Sequence, residues 1–176
     1  MNVFLIGYRG TGKTTVAKLI AQKLGTHWID ADVEIERRAG KTIANIFAES
    51  GEPCFRQLES DLIKDLVQEL DSTEKTIVAL GGGAVLRSEN REALRDHGTV
   101  FWLLASPETI ASRIQLDPAS PANRPNLTTT GGIEEIRQLL TKRAPIYEKC
   151  ANHAINTESK TPEQVAAQVV TILQEG

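Results

Sequence analysis

Residues Gly7-Tyr8-Arg9-Gly10-Thr11-Gly12-Lys13-Thr14 constrain the fold more than any other stretch of the chain. They meet the pattern G-x-x-x-x-G-K-[ST] at every specified position, a pattern that needs a strand running into it and a helix leaving it. Both are legible. Val3 to Ile6 is a continuous apolar run, as expected of a strand covered on both faces. After the loop, Val16, Leu19, Ile20 and Leu24 recur at helical spacing, and Gly25 stands where a helix ends.

The rest of the chain repeats the alternation. A second strand is expected over His27 to Asp30, then a helix from near Val33 to Ala39 that stops at Gly40. Another helix starts after Thr42 and stops before Gly51, and a longer one carries Phe55, Leu58, Leu62, Leu66 and Leu70 as one apolar stripe. Thr76 to Leu80 reads as a strand that runs into Gly81-Gly82-Gly83. A helix over Glu89 to His97 and a strand over Val100 to Ala105 follow, and Ser106 with Pro107 opens the next helix. A helix over 133–148, a strand over His153 to Asn156 and a last helix opened by Thr161, Pro162 and Gln164, a capping box, complete the chain. This alternation implies an α/β fold, a parallel sheet wrapped by helices. Residues 117–132 (DPASPANRPNLTTTGG) show neither period, which marks a functional loop within one domain, 1–176.

Composition narrows the partners. With 40% hydrophobic and 24% charged residues the chain has enough apolar surface to offset its conformational entropy, so disorder is excluded. Its longest apolar runs fall far short of the ~20 residues that a bilayer demands, and no basic stretch precedes a long apolar region, so a cytoplasmic protein is expected. Cys54 and Cys150 read as free thiols of a reducing compartment. A net charge of −3 argues against duplex nucleic acid, although a few arginines could still converge on a small anion. No apolar stripe is left over from the core, so a monomer is expected.

The glycine loop carries the clearest chemistry. Its glycines let backbone N–H groups turn inward around a phosphate chain, and the helix behind it adds partial positive charge. Lys13 would reach the β and γ phosphates, and the Thr14 hydroxyl would ligate Mg²⁺, which implies a purine nucleoside triphosphate. Asp30 and Asp32 end the second strand, where ligands of open α/β sheets collect. One could hold a magnesium-bound water and the other accept a proton from an attacking hydroxyl; equally, both could cap the next helix. Gly81-Gly82-Gly83 would offer bare N–H groups to a ligand, or form a loose turn. Arg56 and Glu59, three apart, could aim a guanidinium at an anion or make a solvated surface pair. Arg124, inside 117–132, is placed to neutralise transition-state charge and exclude water. Arg143, before Ala144-Pro145, could otherwise be a helix-dipole partner.

Taken in order, GYRGTGKTT, DAD, GEPCFRQLE, GGGAVL, RP and KRAPIY span nearly the whole chain, and together they resemble shikimate kinase, a P-loop family with the nucleoside-monophosphate-kinase type of fold. The resemblance implies a three-layer fold with the central parallel sheet in the order 2-3-1-4-5, and transfer of phosphate from ATP to the 3-hydroxyl of shikimate. It also implies roles. Gly10, Thr11, Gly12, Lys13, Thr14 and Thr15 would hold the nucleotide phosphates, with Thr14 and Asp30 at the metal. Asp32 would bind the shikimate hydroxyls and act as base, while Arg56, Arg143 and the Gly82 N–H, flanked by Gly81 and Gly83, would hold the carboxylate. Arg124 would be the lid arginine, and Arg113, Lys160 and the segment Thr157 to Pro162 would lie on the adenine side. The rival readings are a gluconate or nucleoside-monophosphate kinase of the same fold, and a nucleotide-binding module without catalysis.

Overall fold

Strand β1 (Asn2–Ile6) is apolar without interruption because both of its faces are covered. Val3 and Leu5 join one hydrophobic cluster, Phe4 and Ile6 another, as the two-residue period of a strand requires. Burying each such side chain contributes roughly 1.5–3 kcal/mol. The computed structural model describes residues 2–69, 75–116 and 132–175. The expected loop at 117–132, with Arg124, lies outside the described residues except for Gly132.

Five parallel strands form one sheet in the order β2-β3-β1-β4-β5, the order the family resemblance implied. They are β1, β2 (His27–Asp30), β3 (Thr76–Ala79), β4 (Gly98–Leu104) and β5 (His153–Asn156). Helices α1 (Lys13–Leu24) and α7 (Pro162–Glu175) cover one face, with Val16, Ala17, Ile20, Val165, Ala166 and Val169 packed on Val3, Leu5 and Phe101. The other face is covered by α2 (Ala31–Ala39), α3 (Ile43–Glu69), α4 (Ser88–His97) and α6 (Gly132–Cys150), through Ile35, Leu62, Leu66, Leu94 and Tyr147. Helix α5 (Pro107–Leu116) meets α6 and the glycine loop in a small third cluster of Tyr8, Ile110 and Ile136. None of these helices is long and apolar enough to cross a membrane.

Several details differ from the sequence reading. Helix α2 starts at Ala31, not near Val33, because Asp30 caps it from outside, accepting from the N–H groups of Asp32 and Val33. The two helices expected on either side of Gly51 meet directly there as the arms of α3; Gly51 alone leaves helical geometry, with φ of 75°. A 3₁₀ turn over Ala84–Leu86, absent from the sequence reading, follows the glycines. Helix α6 contains Pro145, as expected, and ends at Cys150, two residues beyond the expected 148. An internal proline costs ~3 kcal/mol, and the complete burial of Tyr147 and near-complete burial of Cys150 in the following turn offset it.

Candidate active site

The loop between β1 and α1 is held open from below. Gly7 has φ of 139°, and a Cβ there would sit 2.3 Å from the Leu103 carbonyl oxygen on β4, so only glycine fits. The Thr11 hydroxyl donates to the Tyr8 carbonyl at 2.8 Å, which braces the turn and leaves Thr11 only its backbone to offer a ligand. The Lys13 ammonium lies over the loop, donating to the Gly7 and Tyr8 carbonyls at 2.9 Å each. Helix α1 follows an N-cap glycine, Gly12, which offers no side-chain cap, and has no acid in its first turn. Its first N–H groups therefore face the loop, a ready anion site. By contrast α2 is capped by Asp30 and carries Asp32 and Glu34 in its first turn, which makes it repel anions.

Asp30 divides its two oxygens. Oδ1 caps α2, and Oδ2 accepts from the Thr14 hydroxyl at 2.6 Å. A hydroxyl and a carboxylate side by side at the mouth of the anion site are hard oxygen donors of the kind Mg²⁺ prefers. No group of three or more His, Cys, Asp or Glu among the described residues could hold a metal, so the remaining positions would fall to phosphate oxygens and water.

Beside the loop, on the same carboxyl edge of the sheet, lies a narrow cleft of about 50 Å³ walled by Tyr8, Arg9, Asp32, Arg56, Glu59, the three glycines and Arg143, and floored by Ile43, Phe47 and Phe55. Asp32 lies in the first turn of α2 and lines this cleft, while Asp30 is the cap. Asp32 Oδ1 and Glu59 Oε1 would lie 2.9 and 2.6 Å from a Cβ at Gly81, so a side chain there would collide with both carboxylates. Gly83 rests on the Arg56 guanidinium, where a Cβ would come within 2.1 Å of Nη1. The tight glycine turn is thus packed against charged groups, which removes the loose-turn alternative.

Arg56 and Glu59 are no surface pair: their side chains are 12% and 3% exposed, and Arg56 Nη1 donates to Glu59 Oε2 at 2.5 Å. Arg56 also donates from Nε and Nη2 to Glu52 at 3.0 and 2.9 Å, and its guanidinium lies 5.4 Å from the Phe55 ring centre. Burial pushes the Glu59 carboxyl above its ordinary range, against the pull of Arg56. Arg143 stands mid-helix in α6, not at a helix end, so the dipole alternative falls away. It is 8% exposed and donates to the Gly82 carbonyl at 3.4 Å, while the Tyr147 hydroxyl donates to the same oxygen at 2.5 Å.

On the far side of the loop, Arg113 clamps Thr157, donating to its hydroxyl and its carbonyl at 2.9 Å each. Lys160 donates to Gln168 of α7 at 2.9 Å. Of the residues singled out from sequence, the structure gathers the loop, Asp30, Asp32, Arg56, Gly81, Gly82, Gly83 and Arg143 at one sheet edge; Arg124 lies outside the described residues. Sequence reasoning missed Tyr8, Arg9, Glu52, Phe47 and Tyr147. Tyr8 and Arg9 fill unspecified positions of the loop pattern, so the pattern carried no signal for them.

Comparison with known proteins agrees with this geometry. The model of the shikimate kinase family matches residues 9–174. The chain is 42% identical over 169 residues to the shikimate kinase of Thermodesulfovibrio yellowstonii, covering 96% of this chain and 92% of that one. It is 39% identical over 175 residues to that of Symbiobacterium thermophilum, covering 99% and 97%. Among solved structures, shikimate kinase from Acinetobacter baumannii in complex with shikimate superposes with a TM-score of 0.89 at 33% identity, over 99% of this chain and 93% of that one.

Proposed function

Because the chain belongs to the shikimate kinase family, we propose that it transfers the γ-phosphoryl group of ATP to the 3-hydroxyl of shikimate, yielding shikimate 3-phosphate and ADP. The observation that carries this reading is one juxtaposition: an uncapped helix N-terminus behind a glycine loop, opening beside a cleft that presents a carboxylate and two arginines. The first suits a triphosphate, the second a small polyhydroxylated acid.

The residues divide the work. Backbone N–H groups from Gly10 to Thr15 hold the phosphates, and Lys13 exchanges its carbonyl partners for the stronger anionic acceptors that a phosphate chain brings. Thr14 and Asp30 would hold Mg²⁺, which when bound neutralises phosphate charge. Arg143 and Arg56 orient the shikimate carboxylate at the glycine turn. Asp32 accepts the proton of the attacking hydroxyl as its oxygen bonds to the γ-phosphorus and the bond to the β–γ bridging oxygen breaks. Arg124 takes the role of neutralising charge on the transferring group. Arg113 and Lys160 take the adenine side. We take 1–176 as one domain that acts as a cytoplasmic monomer.

The test is ADP release from MgATP with shikimate, gluconate, AMP or CMP offered one at a time. Turnover with shikimate alone is expected; turnover only with another acceptor would retain the loop and discard the roles of Arg56 and Arg143. Asp32→Asn should lower kcat by about a hundredfold or more, as removal of a general base does, while ATP still binds. Undiminished turnover would remove Asp32 as the base.

A further inference from the structure

One wall of the acceptor cleft is made by a residue of the nucleotide loop itself. Arg9 sits between the Gly7 turn and the phosphate-binding positions, yet its side chain lines the cleft with Asp32 and Arg143. It is held from behind. Arg9 Nη2 donates at 3.3 Å to Oε1 of Glu135, in the first turn of α6, 126 positions away in the chain. The Glu135 side chain is 1% exposed and that of Arg9 17%. A carboxylate so deeply buried is costly unless it is paired, so a function or a fold requirement must keep it there. Arg9 and Arg143 each place a guanidinium carbon 5.9 Å from the Tyr8 ring centre, so the two cations share one aromatic support. Arg9 Nε is buried and has no hydrogen-bond partner among the described residues.

The charge balance of the cleft shows what such a cation would do. Arg56 commits Nε, Nη1 and Nη2 to Glu52 and Glu59, so much of its field is already answered within the chain. Asp32 adds a further negative charge to the same wall. An anionic acceptor entering this space needs more than Arg56 and Arg143 to compensate it. Glu135 lies behind Arg9, so the pair points its positive end toward the cleft. A guanidinium plane fixed by Glu135 at the wall of the cleft suits an oxyanion.

We infer that Arg9 is a third acceptor-binding guanidinium, contacting an oxyanion of the acceptor at the seam between nucleotide loop and cleft, and that Glu135 is the positioning residue that aims it. The inference rests on the reading of the cleft as the shikimate site. The oxyanion is either the carboxylate of the substrate or the phosphate gained by the product.

Arg9→Met, Arg9→Lys, Glu135→Gln and the Arg9→Met/Glu135→Gln double variant test it, with circular dichroism to establish that each is folded. Arg9→Met should raise the shikimate KM, or the dissociation constant of shikimate 3-phosphate, by about ten- to a hundredfold, the usual loss of a charged hydrogen bond. The ATP KM should change little. A rise in the first identifies the carboxylate as the partner; a rise confined to the second identifies the phosphate. Arg9→Lys should recover part of the loss. Glu135→Gln should act in the same direction, and in the Arg9→Met background it should add nothing. Unchanged shikimate and product binding in Arg9→Met, or equal weakening of ATP and shikimate, would overturn the inference and leave Arg9 a structural partner of Glu135. Additive effects of the two substitutions would overturn the positioning role of Glu135. Wild-type enzyme inert with shikimate would instead overturn the reading of function, and this inference with it.

Discussion

Tyr147 joins packing and recognition in one side chain. Its ring is fully buried and stacks on Trp102 with centroids 5.8 Å apart, while its hydroxyl donates to the Gly82 carbonyl. Burial pushes its pKa up to about 12, so the phenol remains a donor across the working range. A group raised in the folded state contributes stability that is lost as pH climbs through its folded value. Tyr147→Phe should therefore cost about 1 kcal/mol in urea denaturation at neutral pH, and should raise the shikimate KM while sparing that of ATP. It should also lose less of its stability than the wild type between pH 10 and about 12. An unaltered shikimate KM would separate Tyr147 from the glycine turn's function. At this scale the sequence named residues better than it named roles. Asp30 and Asp32 have the same side chain and lie two apart, and only the start of α2 at Ala31 makes the first a cap and leaves the second facing the cleft.

At the scale of elements, α2 carries its charges where they help it. Glu34 accepts from both Arg37 and Arg38 near the helix C-terminus, and Arg38 also reaches Asp65 of α3. The hydrogen bonds from Arg37 and then Arg38 pull the Glu34 carboxyl from 4.5 to about 2. A lowered carboxyl contributes stability that is present above its unfolded value and lost as pH falls toward its folded one. The wild type should thus lose stability between pH 4.5 and about 2 more steeply than Glu34→Gln, by a modest margin because Glu34 is half-buried and Arg37 lies in solvent, which screens their attraction. Parallel acid titrations of both proteins would check this; coincident curves would deny the pair any weight. Elements were legible where local chemistry decides. The capping box of α7 forms as read, with Thr161 N–H on Gln164 and Gln164 N–H on the Thr161 hydroxyl. Only Lys149 and Cys150 lay beyond the helix expected over 133–148, and the burial of Cys150, which local propensity does not report, carries α6 that far.

Across the whole molecule, the sheet brings the ends of β1, β2 and β3 to one edge, so that the glycine loop and the glycine turn lie side by side, as the proposed ATP and shikimate sites require. Anything that binds only the folded state stabilises it. MgATP at a hundred times its dissociation constant should contribute about 2.7 kcal/mol. For a chain of 176 residues that corresponds to a rise in Tm of about 5–10 °C at roughly 2–4 °C per kcal/mol. Thermal unfolding with ATP, with and without Mg²⁺, would measure it. Thr14→Ala should abolish the magnesium-dependent part of the rise; an undiminished rise in that variant would put the metal elsewhere.

The sequence by itself determined whatever depends on neighbours along the chain: the alternation of strands and helices, the glycine loop, the caps, and the residue types that phosphoryl transfer requires. It could not set exposure or distant partnership, because these arise from the three-dimensional packing of segments far apart in the chain. Arg56–Glu59 became a buried pair only when the glycine turn closed over it, and Arg9 acquired Glu135 only because the sheet carries α6 back across the loop. Whether each charge meets solvent, a ligand or a buried partner was decided by that packing, where the cost of desolvation leaves only paired arrangements stable.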